Sequence, residues 1–333
     1  MAIEIKGTGK GIPSRRVSNE ELARQVETSD EWIRSHTGIG ARHIASEENA
    51  ASDLAVEAAR QALDMAGLEA ESLDLIVIGT ATPDFQGCPS TACIVQNRLG
   101  AKNSGAMDLV AGCTGFIYGL ETAAALLGIK AGRRRALVIG VDVLSRITDW
   151  NDRGTCVLFG DGAGAVALEK TGAPSEGAGK RGLLRSILGA DGSGSEYLMV
   201  RRGGSRHPWK AGETIDASAC LEMNGRAVYN FAVKAMTDTI ENLLKEEGVG
   251  IEDVARIIPH QANARIVQAA GKRLGIPEEK FFLNIEEYAN TSAASIPIAL
   301  DELNRAGGLS RGDLVMSIGF GGGLTYGGNL IIW

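Results

Sequence analysis

Apolar positions along the chain follow two alternating rhythms. Short, nearly continuous apolar runs such as Leu75-Ile76-Val77-Ile78 are separated by longer stretches whose apolar residues recur three and four apart. The first rhythm marks strands covered on both faces, the second amphipathic helices. The spacing predicts a helix over 52–66 and a strand over 73–79. The same order returns about 180 residues later as a helix over 227–247 and a strand over 254–259. In each copy the next helix ends in a similar phrase, Ile94-Val95-Gln96 through Arg98-Leu99-Gly100 against Ile266-Val267-Gln268 through Arg273-Leu274-Gly275. A strand then leads into a small-residue turn, Cys113-Thr114-Gly115 in one copy and Asn290-Thr291-Ser292 in the other. Apolar helices follow over 116–127 and 293–303, then strands over 135–141 and 313–318. Each copy closes with a glycine cluster and a last strand, over 160–168 and 321–332.

Strands alternating with helices of this length predict parallel β-α-β units, and repetition of the whole order predicts two similar halves. The expected fold is α/β, with an N-terminal half over 1–170, a connection and loop insertion over 171–220, and a C-terminal half over 221–333. Residues 142–159 are extra to the repeat and are expected in loops around the site. Ligands of open α/β sheets bind beyond the C-terminal ends of the strands, so the corresponding loops of the two halves are expected to meet. On this alignment Cys113 and Asn290 hold equivalent places, and His260 directly follows a strand of the second copy.

Composition narrows the class. At 333 residues the chain can bury a large core. Its net charge of −7 argues against nucleic acid as the main partner. No apolar run reads as long enough to span a bilayer, and the start Met-Ala-Ile-Glu-Ile-Lys lacks the pattern of a signal peptide. Five cysteines, odd in number and without zinc-ligand spacing, indicate a reducing cytoplasm without structural disulfides.

Among these cysteines only Cys113 stands where a strand ends and a long apolar helix begins. Backbone N–H groups and the positive end of the helix dipole favour thiolate there, whereas a cysteine among small residues is more often an inert buried thiol. Cys156, in an apolar stretch, reads as a core strand residue. His260, in Pro259-His260-Gln261-Ala262-Asn263, could be a partner for Cys113 or a satisfied core histidine. Asn290 could stabilise an oxyanion or cap the next helix. The glycine clusters at 160–164 and 321–323 run into strands rather than helices, so a dinucleotide fingerprint fails on context. A backbone N–H donor close to a reacting carbonyl is the better use for the second cluster.

Gly112-Cys113-Thr114-Gly115-Phe116, Pro259-His260-Gln261-Ala262-Asn263, Asn290-Thr291-Ser292-Ala293-Ala294-Ser295 and Phe320-Gly321-Gly322-Gly323 together resemble β-ketoacyl-acyl-carrier-protein synthase III, as do Thr28-Ser29-Asp30-Glu31-Trp32-Ile33 and Asp152-Arg153-Gly154-Thr155. These motifs span essentially the whole chain, in order. The resemblance implies the thiolase fold, a five-layered α-β-α-β-α core made of two duplicated halves, usually in a homodimer. It implies decarboxylative condensation of a short acyl-CoA such as acetyl-CoA with malonyl-acyl-carrier-protein at the start of type II fatty-acid synthesis. A related synthase or acyltransferase of specialised metabolism is the alternative.

The resemblance also assigns roles. Cys113 is the nucleophile, His260 and Asn290 stabilise the enolate, and the N–H groups of Cys113 and Gly322 hold the tetrahedral oxyanion. No metal or redox cofactor is implied. Trp32 and Arg153 sandwich the CoA adenine. His36 stands where relatives usually carry an arginine for the CoA phosphates, so Arg34 or Arg42 is expected to replace it or CoA to bind more weakly. Thr28 and Glu31 read as a capping box ahead of Trp32. Cys88 stands where relatives often place phenylalanine against the acyl pocket. Arg265, Lys272 and Arg273 make a basic stripe on one helix face, the candidate dock for acyl carrier protein.

Overall fold

The computed structural model describes residues 2–172 and 181–333. The first sheet contains β1 (Ala2–Gly11), β2 (Leu75–Gly79), β3 (Gly105–Leu109), β4 (Arg135–Val143) and β5 (Asp161–Thr171), in the order β1-β5-β4-β2-β3. The second contains β6 (Gly182–Ala190), β7 (Val254–Pro259), β8 (Leu314–Gly321) and β9 (Thr325–Ile332), in the order β7-β8-β9-β6. Strands β3, β2 and β4 are parallel, as are β7 and β8; β5, β1, β9 and β6 join antiparallel. The expected parallel units are therefore the centres of mixed sheets. Only Gly322, Gly323 and Leu324 separate β8 from β9, too few for the crossover a parallel partner needs.

The strand that was expected before Asn290 survives as one isolated bridge, Ile257 to Phe281. After Phe282 the chain turns away, with the Asn284 N–H donating to Gln261 Oε1, and enters the short helix Ile285–Tyr288. The opposite correction applies to 171–220. That segment contributes β6, which pairs with β9 as β1 pairs with β5. The second sheet thus begins ahead of the boundary at 221, and residues 173–180 of the connection lie outside the described residues. β6 is mostly half-buried and carries Arg185, so its pattern is weaker than that of the covered strands.

The principal helices are α1 (Asp30–Thr37), α2 (Ala51–Ala66), α3 (Thr91–Leu99), α4 (Gly115–Ile129), α5 (Gly225–Glu247), α6 (Ala264–Leu274) and α7 (Ser295–Arg305). Side chains alternate across a strand, so β2 sends Ile76 and Ile78 to one face and Leu75 and Val77 to the other. The first pair packs under α2 and α3, the second against α4. Between the sheets, Phe116 and Leu120 of α4 and Ile296 and Leu300 of α7 meet Val138 from the first sheet and Ile258 and Val315 from the second. Beyond the second sheet, Met236 and Ile240 of α5 and Ile266 of α6 cover Ile257 and Met316. The result is five layers, α-β-α-β-α, with both sheets covered on both sides.

This layering explains a departure from the sequence reading. Among the described residues, 112–129 are long and apolar enough to cross a membrane by length and composition. They form the middle layer, where a helix must be apolar nearly all round.

Candidate active site

From β3 the chain enters a single 3-10 turn, Gly112–Thr114, that continues as α4. Thr114 Oγ1 donates to the Ala111 carbonyl at 2.7 Å and closes the turn. A matching 3-10 turn, Ser292–Ala294, leads into α7. Both turns open with a left-handed residue, Gly112 at φ 52° and Ser292 at φ 51°. Turn for turn, Gly112 corresponds to Ser292 and Cys113 to Ala293. The equivalence of Cys113 and Asn290 expected from sequence is therefore wrong, because Asn290 lies in the approach to the turn.

The two halves touch closely here. A Cβ at Gly140 of β4 would lie 2.0 Å from the Ala293 carbonyl oxygen, so only glycine lets the second turn rest on the first sheet. Cys113, His260 and Asn290 consequently line one cavity of about 150 Å³ with Leu158, Phe320 and Met223. Leu158 comes from the 142–159 segment that was expected around the site. Trp32, Arg153 and Cys88 do not line it.

The backbone N–H groups of Cys113 and Gly322 face the Cys113 sulfur, and Ser292 Oγ donates to Sγ at 3.4 Å. These contacts favour thiolate, yet burial outweighs them. Enclosure by protein, with the Asp142 charge adding to it, pushes the thiol up to about 11. Local geometry and enclosure thus oppose each other at this sulfur, and enclosure is the larger influence.

His260 is 1% exposed. Its N–H donates to the Ile318 carbonyl at 2.7 Å, which locks the end of β7 to β8. Ring Nδ1 lies 2.7 Å from Ser295 Oγ, and the ring meets Phe320 edge-on at 5.3 Å between centroids. Burial lowers the imidazole to about 3, so it is neutral at ordinary pH. With Nδ1 engaged, Nε2 is left for the cavity. Asn290 Oδ1 accepts the Ser292 N–H at 2.9 Å, which leaves the amide NH₂ as a donor. Its backbone is pinned on both sides, the N–H to Leu158 O and the carbonyl to Gly160 N. The cavity therefore holds a thiol beside two backbone N–H groups, together with two neutral side chains able to donate.

Half-buried Trp32 lies on α1. The cap of α1 is Ser29, which accepts the Trp32 N–H at 3.1 Å, and not Thr28, whose hydroxyl is buried without a partner. The Arg153 guanidinium lies over the indole at 4.8 Å from the centroid, and His36 stacks on it at 4.4 Å and 18°. His36 is half-buried, and its Nδ1 is engaged by the Trp32 carbonyl at 2.8 Å. Neither suggested substitute for an arginine at 36 is free. Arg34 is paired with Asp30 at 2.8 Å and Glu286 at 2.6 Å, and fully buried Arg42 donates to Asn19 and the Val157 carbonyl. The Asn263 amide donates to the His36 carbonyl at 3.1 Å, and Asn263 also lines the cavity, so α1 adjoins its mouth.

Arg265, Lys272 and Arg273 are all exposed on α6, whose Ile266 lines the cavity. Cys88 is exposed, in the loop after β2, and is not brought to the cavity of its own chain. Cys156 is buried as expected, but in the short helix Arg153–Cys156 rather than a strand. Ser292, Ser295 and Asp142 were not singled out from sequence. The two serines lie inside a motif already noted, but the contacts of Ser292 depend on a left-handed backbone that no residue pattern reveals.

Comparison with known proteins gives a consistent result. Residues 107–192 match the family described as 3-oxoacyl-[acyl-carrier-protein (ACP)] synthase III, and residues 244–333 match its C-terminal family. The chain is 46% identical to the β-ketoacyl-[acyl-carrier-protein] synthase III of Clostridium acetobutylicum, covering 100% of this chain and 99% of the relative. It is 49% identical to that of Clostridium perfringens, covering 98% of each. The structure resembles the crystal structure of 3-oxoacyl-[acyl-carrier-protein] synthase III from Aquifex aeolicus, with a TM-score of 0.89, 43% identity and full coverage of both chains. The Thermus thermophilus enzyme gives a TM-score of 0.90 at 39% identity over 99% of each chain. The chain is a thiolase-fold acyltransferase and belongs to the β-ketoacyl-acyl-carrier-protein synthase III family.

Proposed function

We propose that the protein condenses a short acyl-CoA such as acetyl-CoA with malonyl-acyl-carrier-protein, releasing CoA and CO₂ and starting fatty-acid synthesis. The observation that carries this reading is the single cavity holding Cys113, His260 and Asn290. Cys113 attacks the thioester carbonyl while its own N–H and that of Gly322 receive the oxyanion. The acyl group moves to Sγ, and the thiol proton ends on the departing CoA sulfur. Malonyl-carrier then loses CO₂, and the electron pair left behind is held as an enolate by His260 Nε2–H and the Asn290 amide. That pair attacks the acyl carbonyl on Cys113, forms the new C–C bond and frees the cysteine. Two easier steps replace one difficult one, and decarboxylation supplies the carbanion without a cofactor.

Neutral His260 fits the role because a neutral donor stabilises an enolate without protonating it. Trp32 and Arg153 would receive the CoA adenine between them, which requires the guanidinium to move off the indole. The exposed stripe of Arg265, Lys272 and Arg273 would dock the acidic carrier at the cavity mouth. The edge of β3, with Met107 and Val110 exposed, would pair with a second copy, since an unpaired edge is a template for a strand. Five free cysteines, two of them exposed, suit the cytoplasm.

Mass spectrometry after incubation with a panel of acyl-CoAs tests the reading. Acylation confined to the peptide carrying Cys113, and abolished in Cys113→Ala, is expected. Acylation elsewhere, or of no residue, would overturn it.

A further inference from the structure

Beside the cavity, Ser292 touches Cys113 with a side chain that the condensation above does not use. Ser292 holds a left-handed backbone, φ 51°, where the matching turn of the first half has Gly112. A side chain in that region is disfavoured by about 1 kcal/mol or more, and such outliers concentrate where the surroundings put them to use. The hydroxyl donates to Cys113 Sγ at 3.4 Å. The backbone N–H donates to Asn290 Oδ1 at 2.9 Å. One residue therefore touches the nucleophile through its side chain and the enolate-stabilising amide through its main chain.

Behind it lies Asp142, fully buried at the end of β4. Asp142 Oδ1 accepts from the N–H groups of Ala81 and Thr82 at 2.7 and 3.0 Å and from the hydroxyls of Thr82 and Thr80 at 2.8 and 3.2 Å. Its Oδ2 accepts the Ala293 N–H at 3.3 Å. Ser292 also bears on this carboxylate, lowering its affinity for protons against the stronger opposite effect of burial. The serine hydroxyl thus bears on both the carboxylate and the sulfur, and it has one proton to give.

We infer that Ser292 is the positioning residue of the nucleophile: its hydroxyl, already directed at Sγ, strengthens that hydrogen bond as the Cys113 proton leaves. The same contact aims the sulfur at the incoming carbonyl. Its main-chain N–H keeps the Asn290 amide oriented whichever way the hydroxyl points. This inference rests on the assignment of Cys113 as nucleophile. The surroundings agree with it, because burial and the Asp142 charge resist thiolate while the Ser292 hydroxyl is the largest influence favouring it.

Ser292→Gly separates this role from a structural one. Glycine suits φ 51° and retains the N–H to Asn290, so the variant should unfold at the same temperature as the wild type or higher. Iodoacetamide labelling of Cys113, followed peptide by peptide across pH, should nevertheless be about tenfold slower at any pH below the thiol's own value, with the pH–rate curve displaced to higher pH. Single-turnover acylation by acetyl-CoA should slow to a similar degree. A stable Ser292→Gly protein with wild-type labelling and acylation curves would overturn the inference. If the wild-type protein itself is not acylated at Cys113, the functional reading fails instead, and the labelling curve still decides whether Ser292 governs the thiol.

Discussion

Gly321 lies so close to Cys113 that a Cβ built on it would sit 2.5 Å from the Cys113 nitrogen and 3.1 Å from the Cys113 Cβ. The last residue of β8 thereby fixes the position of Cys113, which belongs to the other half of the molecule. It also brings the following residue, Gly322, within reach of the same sulfur.

Gly321→Ala should therefore displace the Cys113 turn rather than merely crowd it. A shift of about 1 Å at reacting groups can cost on the order of a hundredfold in rate. Overpacking of this kind destabilises by about 1–3 kcal/mol. Single-turnover acylation and thermal unfolding, measured on the same preparation, check both expectations.

His260 predicts a pH dependence with a definite sign. The unfolded imidazole takes a proton near 6.5, whereas burial holds the folded one at about 3. The stability this difference supplies is complete above about pH 6.5 and is lost as pH falls towards about 3, by at most about 1.4 kcal/mol per pH unit. In urea unfolding, His260→Gln should lose less stability than the wild type between about pH 7 and about pH 5. The same substitution should nearly abolish malonyl decarboxylation while leaving acylation of Cys113 measurable.

Trp32 should act on CoA affinity and not on the chemistry. Stacking of a base on an aromatic ring is worth about 1–3 kcal/mol, so Trp32→Ala should raise the KM for acetyl-CoA roughly tenfold or more. Turnover with saturating acetyl-CoA should change little. Initial-rate kinetics with each substrate varied in turn would show the division.

Arg265 should matter to the carrier alone. Arg265→Glu should reduce activity with malonyl-acyl-carrier-protein, and added salt should weaken the wild-type reaction as it screens the contact. Acylation by acetyl-CoA should be unchanged. Equal activity of variant and wild type with the carrier substrate at low salt would remove α6 as the docking face.

Covered elements were legible in the sequence because their periodicity is physical. β2, β4, β7 and β8 are apolar on both faces, and α2, α4 and α5 were located to within a few residues. Cys113 and His260 were noticed because each comes shortly after an apolar strand, and Asn290 because it precedes an apolar helix. Residues 183–188 look strand-like in sequence, but β6 was left in the connection because most of its side chains are only half-buried and it lacks the signature of a central strand. Asn290 was paired with Cys113 because small residues in both copies look alike in sequence. The true register depends on positive φ at Gly112 and Ser292, one of which is not glycine. The thiol's surroundings were legible only in part, because local helix geometry can be read from sequence, whereas enclosure by the opposite half cannot.

Helices α4 and α7 both begin at the cavity, one after Cys113 and the other at Ser295. Their N-terminal ends, positive in the helix dipole, lie beside Cys113 and beside His260, in a chain whose net charge is −7. In the proposed reaction thiolate, oxyanion and enolate, all negative, would appear one after another beside these helix ends. The fold thus provides a standing field of the required sign without a cation, and a proton-free source of attraction cannot be titrated away or transferred to the carbanion it holds.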